Sequence, residues 1–390
     1  MIFSKKLLNN TIEEEQEDPN APVKILGTTP PDFYATNYRL MKRGNEFFAL
    51  YENSPENGMK NINVQTLNFI SKTTDFKNWT GSGIGSGYTR YDEQSDSFYS
   101  TTLAVDYDTK NGPNITADYV TKINPDTFEY TTTVLLPQTS MSQTSRGLSS
   151  VQRIGNYLII FFYKGQTQVM SAYSTDNGNT WNSTSLSTVS MGIGGSSINF
   201  VSNGTKGITS NYFGSTTQTR KCFSSPTNYV NSNCQYGCKG DRPIYTTSNN
   251  LYSYNSSSMT LSLTTDCINY SKTINVIKNT IGNVCVFYDK YVISANTMSY
   301  SLKSQPDDVS YYGKIVLYDT SNGDMYYFDT GLDIPYQSGS GDYIYVYSYI
   351  QVVGFIDDEI YFVFQCQKKK SYQLAKVHIS YVIENMVKHV

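Results

Sequence analysis

The sequence predicts an all-β chain: a closed β-propeller of six or seven antiparallel four-stranded blades behind a short extended N-terminal arm. Three observations predict it. The composition is that of strands and turns, one turn motif returns at a near-constant interval, and paired apolar runs precede most copies of that motif.

The 390 residues include 35 Tyr, and only 16% are charged. Tyr and Thr suit half-buried pleated surfaces, and Asn, Ser and Gly suit turns. Length alone would allow two or three domains, but a closed ring absorbs many small sheets into one. The net charge of -3, without long basic runs, gives no global field favouring nucleic acid or an anionic membrane. No apolar run approaches the ~18 residues of a transmembrane helix. The stretch Met1 to Glu17 holds Lys5 and Lys6 but no apolar core for a signal peptide. The expectation is therefore a protein without membrane insertion, nucleic-acid partner or ordinary secretory signal.

The clearest motif copy is Tyr173-Ser174-Thr175-Asp176-Asn177-Gly178-Asn179-Thr180-Trp181. Its logic is that of a hairpin turn: Asp176 accepts backbone N–H groups, Gly178 takes the strained position, and the Trp181 ring tucks beneath. A second copy, Ser71 to Trp79 with Asp75, puts the only other Trp of the chain, Trp79, at the same place. Weaker copies centre on Asp126, Pro226, Asp266 and Asp319. Anchors at 75, 126, 176, 226, 266 and 319 are separated by 51, 50, 50, 40 and 53 residues. Such a period signals a repeat architecture. The copies at Asp75 and Asp176 resemble the Asp box of sialidases and related propellers. The structural residues this implies are Ser174, Asp176, Gly178 and Trp181, with Asp75 and Trp79.

Apolar runs such as Glu46 to Tyr51, Tyr157 to Tyr163 and Tyr291 to Ile293 read as strands covered on both sides. The last unit, Ile350 to Ile379, has strands but no anchor. It is expected to supply a closing blade completed by a strand from between Val23 and Tyr34. Residues 1–33 form the arm and 34–390 the propeller. The arm combines an acidic run, Glu13 to Asp18, with Pro19, Pro22, Pro30 and Pro31, and is either a solvated tail or a docking peptide that orders on a partner.

The six Cys include a group of three, Cys222, Cys234 and Cys238. A metal site needs a fourth ligand, and both His, His378 and His389, lie far away in sequence. No metal or other cofactor is expected, and these thiols read as ordinary buried or loop residues, with one disulfide within the group open.

The sialidase resemblance implies an Arg that grips the substrate carboxylate, a nucleophilic Tyr, and a Glu that takes the Tyr proton. Arg39 falls at the first position, without the Pro that follows it in the family, and Tyr347 at the second. A phenol with pKa about 10 needs that base at neutral pH. No Glu stands between Glu129 and Glu359, and no Arg follows Arg242, so the family's third Arg is missing. Lys does not reproduce the bidentate fork. Another glycosidase chemistry would need two carboxylates across a cleft. Asp92, Glu93, Asp106 and Asp289 are available, but nothing in the sequence pairs them.

A binding surface remains. Tyr rings stack on sugar faces and Asn amides pair with hydroxyls. The candidate ligand residues are Arg39, Tyr88, Arg90, Arg242 and Tyr347. A Tyr/Asn/Ser/Thr-rich β protein with a short arm and no signal resembles, in style, a bacteriophage tail-tip or fibre subunit. The reading is a non-enzymatic receptor-binding propeller of a virus particle. It would be assembled in the host cytoplasm, joined to other virion proteins through the arm, and in contact with host-surface glycan. The alternative is a glycoside hydrolase with a rearranged active site.

The missing base and third Arg predict no release of sialic acid from fluorogenic substrates at any pH from about 4 to 8. Turnover that disappears in Tyr347→Phe would overturn this reading.

Overall fold

The computed structural model describes residues 22–30, 35–53, 67–86, 89–108, 112–137, 149–164, 168–188, 200–209, 220–232, 242–244, 251–255, 258–264, 266–278, 280–282, 285–295, 298–304, 308–332, 334–339, 344–365 and 372–390. Within them the chain forms seven successive antiparallel sheets, the blades of a ring. Blade 1 takes Ala35–Arg43, Glu46–Asn53, Leu67–Thr73 and Thr80–Ser86, from the innermost strand outward. The innermost strands of blades 2 to 7 are Arg90–Asp92, Gln152–Ile154, Phe200–Ser202, Arg242–Ile244, Val286–Tyr288 and Ile350–Ile356.

All six sequence anchors fall at one place in the topology, the turn between the third and fourth strands, in blades 1 to 6. Blade 7 has no such turn. Its three chain-consecutive strands, Ile350–Ile356, Glu359–Gln365 and Tyr372–His378, are completed by Val23–Thr28 from the other end of the sequence. Six anchors therefore mark a seven-bladed ring, because its last turn is replaced by closure.

The core is not one cluster but a series of apolar layers, one in each seam between adjacent blades. Second strands show why. In Tyr157–Lys164, Leu158, Ile160 and Phe162 pack toward blade 2, while Ile159 and Phe161 pack toward blade 4. In Glu46–Asn53, Phe48 and Leu50 face blade 2, while Ala49 and Tyr51 face blade 7. Strand periodicity of two with both faces covered produces the continuous apolar runs seen in the sequence. Truncating a fully buried ring such as Phe161 would cost about 3–5 kcal/mol.

The layers differ in size. The seam between blades 6 and 7 buries Ile293, Leu317, Ile350, Val352, Ile360 and Phe362 among others. Among the described residues, the seam between blades 4 and 5 buries only Val201, Cys222 and Cys267, flanked by Ile208 and Ile268.

Both chain ends act as closures. Val23–Thr28 pairs with Tyr372–His378 through a bulge between Ile25 and Gly27. There Gly27, at φ +154°, comes so close to blade 1 that a Cβ would sit 2.3 Å from the Phe76 carbonyl oxygen. Trp79 Nε1 of blade 1 donates to the Thr28 carbonyl at 3.0 Å. At the other terminus, helix α1 (Ile379–Asn385) buries Ile379 and Val382 in the blade 6–7 layer. Val387–Lys388 then adds a fifth strand to blade 6, secured by Lys388 on Asp324 at 2.7 Å. A small three-stranded sheet, Met298–Ser301, Tyr345–Ser348 and Pro335–Ser338, stands outside the blade pattern.

The closure at Gly27 gives a direct test. Gly27→Ala should destabilise the ring by about 2–4 kcal/mol, from a backbone conformation that favours glycine and an overpacked contact. Denaturant unfolding would read this as a lower midpoint. Gly44→Ala lies in open space at φ +59°, so it carries only the conformational part of the cost and should lose less.

Candidate functional site

The ring has two unlike ends. In an antiparallel blade, the turns joining strands one to two and three to four share one end. Connections joining strands two to three, and one blade to the next, share the other.

At the first end the turns are tight and the anchors are built from side chains. In blade 3, Ser174 Oγ donates to Asp176 Oδ1 at 2.7 Å, and that oxygen accepts the N–H groups of Asn179 and Thr180 at 3.1 and 2.9 Å. Blade 1 repeats it: Thr73 Oγ1 donates to Asp75 Oδ1 at 3.0 Å, which accepts Lys77 and Asn78 N–H at 2.9 and 2.8 Å. Blade 5 repeats it again with Thr264, Asp266, Ile268 and Asn269 at 3.2, 2.8 and 2.9 Å. The residue after each Asp takes positive φ: Phe76 59°, Asn177 56° and Cys267 60°. Gly178, at φ +78°, leaves no room for a Cβ, which would sit 2.6 Å from the Tyr99 ring. Trp79 and Trp181 occupy equivalent positions just before the outermost strands. Their partners differ: Trp181 Nε1 donates to its own turn at Gly178 O, 3.2 Å, while Trp79 reaches blade 7.

Three anchors work differently. In blade 4, whose anchor position is Pro226, the Asn228 N–H goes to Ser225 Oγ at 3.1 Å. In blade 2 the turn N–H groups of Asp126 and Thr127 go to Asn124 Oδ1 at 2.7 and 3.2 Å, and the Asp126 carboxylate pairs with Arg43 of blade 1. In blade 6, Asp319 accepts Ser321 N–H at 2.8 Å and an ion pair from Lys290 at 2.7 Å.

The turn carbonyls are also used. Each accepts a donor from the preceding blade across five successive seams: Lys72 Nζ to Asp126 O at 3.2 Å, Tyr99 Oη to Asn177 O at 2.7 Å, Ser171 Oγ to Pro226 O at 3.2 Å, Cys222 Sγ to Asp266 O at 3.7 Å, and Lys272 Nζ to Ser321 O at 2.9 Å. This end is committed to structure.

The innermost strands lead to the opposite end. Their charged residues are Arg39, Lys42, Arg43, Arg90, Arg153 and Arg242 against a single acid, Asp92. Three of the cations are held toward the tight-turn end. Arg43 binds Glu46 at 3.0 Å and Asp96 at 3.3 Å, Lys42 binds Asp357, and Arg153 grips Asp92 at 2.6 and 2.7 Å. Arg39, Arg90 and Arg242 lie earlier on their strands, toward the long connections. Arg39 is four residues before Arg43, about 13 Å along an extended strand. Arg90 and Arg242 open theirs. Arg90 is half-buried, with Nη1 on the Thr89 carbonyl at 2.7 Å. The Arg242 side chain and all of Tyr88 lie outside the described residues. Tyr347 is placed by its backbone, not in a blade but in the small three-stranded sheet, opposite Ser299 and Tyr336. Its side chain lies outside the described residues, as do those of Arg220 and Asp106, and all of Cys234, Cys238 and Cys366.

The candidate acids perform other work. Burial opposes charge on Asp92, but hydrogen bonds from Arg153 and Ser95 outweigh it and hold the carboxyl below its ordinary value. Asp289 sits in a two-residue turn at φ +51°, and Glu93 starts a short 3-10 turn that Asp92 caps.

A group the sequence did not single out stands beside Arg39. Tyr38 stacks on Tyr51 at 6.0 Å, Tyr349 packs on Tyr372 at 4.5 Å, and Tyr349 Oη reaches Gln351 Oε1 at 3.4 Å, all in the blade 7–1 seam. Burial drives the phenols of Tyr38 and Tyr349 upward, so both are neutral at every physiological pH. Every described tyrosine with a resolved shift moves the same way, for example Tyr318, pushed to about 12 by burial. A tyrosine nucleophile is activated by an adjacent base or by a shift in the opposite direction. No signal could have marked this group, because one Tyr among 35 looks like another until its neighbours are placed.

No family model matches the chain, and no curated protein sequence matches it. Solved structures that resemble it are propellers and sialidases. Virginiamycin B lyase from Staphylococcus aureus aligns at 10% identity over 91% of this chain and 98% of its own, with a TM-score of 0.48. The β-propeller domain of the Trilobed protease from Pyrococcus furiosus aligns at 9% identity over 90% and 98%, TM-score 0.44. A sialidase from Streptococcus pneumoniae aligns at 10% over 93% and 71%, TM-score 0.41. At these levels nothing of activity transfers, and the seven-bladed architecture stands on the chain's own strand pairing.

The Asp176 turn predicts a pH signature. Backbone and side-chain hydrogen bonds from Thr180, with Ser174 adding, lower its carboxyl to about 2, from about 3.9 in an unfolded chain. A depressed carboxyl contributes stability that is present above about pH 4 and lost as pH falls toward 2. Asp176→Asn should lower the thermal midpoint at pH 7 and flatten its decline between pH 4 and pH 2. An unchanged midpoint at pH 7 would contradict this assignment.

Proposed function

We propose that this chain is a non-enzymatic binding propeller that takes an anionic glycan at the long-connection end of its central channel. The observation that carries the reading is the charge of the innermost strands, with Arg39, Arg90 and Arg242 toward that end and a single acid, Asp92, already gripped by Arg153. Guanidinium forks match carboxylate and sulfate oxygens in pairs. The rearranged glycoside hydrolase needs two carboxylates facing across the channel, and the innermost strands do not carry them.

The particle-component reading belongs with residues 1–21, which lie outside the described residues and precede the strand that closes blade 7 at the outer edge of the ring. It rests on composition: an acidic run and prolines precede Val23–Thr28, the strand that completes blade 7. Removing residues 1–21 should leave a folded, glycan-competent ring. If the reading is right, the shortened chain fails to join its assembly.

The binding reading is tested with a glycan array holding carboxylated, sulfated and neutral sugars. Binding should be confined to the anionic ones and weaken with added salt. Arg39→Ala and Arg242→Ala should each reduce affinity about tenfold or more, the loss expected for a charge-assisted hydrogen bond. Equal binding of neutral sugars, or full affinity in both variants, would sink it.

A further inference from the structure

The seam between blades 4 and 5 has the smallest apolar layer among the described residues, and two of its three fully buried members are cysteines. Cys222 lies on the third strand of blade 4, Arg220–Phe223, and Cys267 on the anchor turn of blade 5. They are 3% and 0% exposed and pack against one another beside Val201. Neither is disulfide-bonded. The chain path fixes their meeting from both sides. Cys222 Sγ donates to the carbonyl of Asp266, the residue before Cys267, at 3.7 Å. Cys267 is held at φ 60° by the Asp266 hydrogen bonds to Ile268 and Asn269. Lys206 Nζ reaches the same Asp266 carbonyl at 3.4 Å, placing a cation beside the sulfurs. The Cys222 thiol is held below its ordinary value, chiefly by its hydrogen bond with Cys267, with Lys206 assisting against burial. A nearby ammonium favours the thiolate, and a second thiol alongside is what resolves a sulfenic acid to a disulfide.

We propose that Cys222 and Cys267 are a reversible oxidation site, whose disulfide staples blade 4 to blade 5 across the seam with the smallest apolar layer among the described residues. Their burial selects a small neutral oxidant of the peroxide class. The Cys222 thiolate attacks one peroxide oxygen; an S–O bond forms, the O–O bond breaks, and the departing hydroxide leaves as water with one proton. The Cys267 sulfur then attacks the resulting sulfenic sulfur; the S–S bond forms, the S–O bond breaks, and a second water leaves with the Cys267 proton. Two thiols and one peroxide give one disulfide and two waters, and two electrons pass from sulfur to oxygen. A dithiol reductant reverses it by exchange. The inference is independent of any glycan binding, since this seam lies on the tight-turn side.

The test uses the full chain, treated with hydrogen peroxide, alkylated, and digested without reduction by chymotrypsin, whose cleavage after Phe223 and Tyr229 separates Cys222 from Cys234 and Cys238. Mass spectrometry should find Cys222 linked to Cys267, and dithiothreitol should return both to alkylatable thiols. Closing the intervening loop should raise the thermal midpoint by about 5 °C, and Cys267→Ala should abolish both the link and the rise. Retention of two alkylatable thiols after native peroxide treatment overturns the proposal. So does a link from Cys222 to Cys234 or Cys238.

Discussion

The ring depends on one recurrent constraint: the hydrogen-bond accounting of the turn between the third and fourth strands. A tight turn leaves N–H and C=O groups that the sheet cannot serve, and each needs a partner. Here the two kinds are served from opposite directions. The N–H groups are gathered locally by a side-chain oxygen of Asp75, Asn124, Asp176, Asp266 or Asp319. Turn carbonyls are served by donors of the preceding blade: Lys72, Tyr99, Ser171, Cys222 and Lys272. A motif that closes its own turn thereby latches one blade to the next. The donors vary chemically because only an outward-facing carbonyl has to be met.

That division of labour also assigns the two ends of the ring. The end holding the turns is filled with obligations: Arg153 to Asp92, Arg43 to Glu46 and Asp96, Lys42 to Asp357. A ligand there would have to break contacts that hold the seams. The opposite end receives the cations that lie earlier on the innermost strands. Arg43 is thus committed to the scaffold at the tight-turn end, while Arg39, four residues earlier on the same strand, lies toward the long connections. Such separation lets surface connections vary without disturbing the turns.

Closure uses both chain ends. The first blade of the sequence does not begin the ring alone; Val23–Thr28 must first pair with Tyr372–His378, and the Phe76 turn then lies against Gly27. Completing the ring requires contacts across nearly the whole sequence, with a corresponding loop-closure entropy. The addition of Val387–Lys388 to blade 6 fastens the remaining end in the adjacent seam. The strand addition at blade 7 stands where a sequence-continuous turn is missing, whereas the one at blade 6 extends a blade whose own turn is present.

What the sequence determined by itself was local. Asp176 and its hydroxyl, Gly and Trp companions are legible because the turn's hydrogen bonds run between residues a few positions apart, so spacing alone encodes them. The doubly covered strands were legible for a similar reason: a run such as Leu158 to Phe162 can satisfy two apolar faces only in a strand buried on both sides. The tertiary structure decided the rest, through contacts between distant residues. The seventh blade exists because Val23 meets Val377. Asp126 looked like a turn anchor, but Asn124 takes that role and Asp126 serves Arg43 across a seam. Cys222 read as a member of a group with Cys234 and Cys238, which lie outside the described residues; among those described, its cysteine neighbour is Cys267, one blade away. Arg39, Arg90 and Arg242 share the innermost layer only because the ring brings blades 1, 2 and 5 around one axis. Local geometry is carried by chain connectivity, which a sequence displays. Which side chains meet across a seam is set by how sheets stack once hydrophobic burial has closed the ring, and no spacing rule records that.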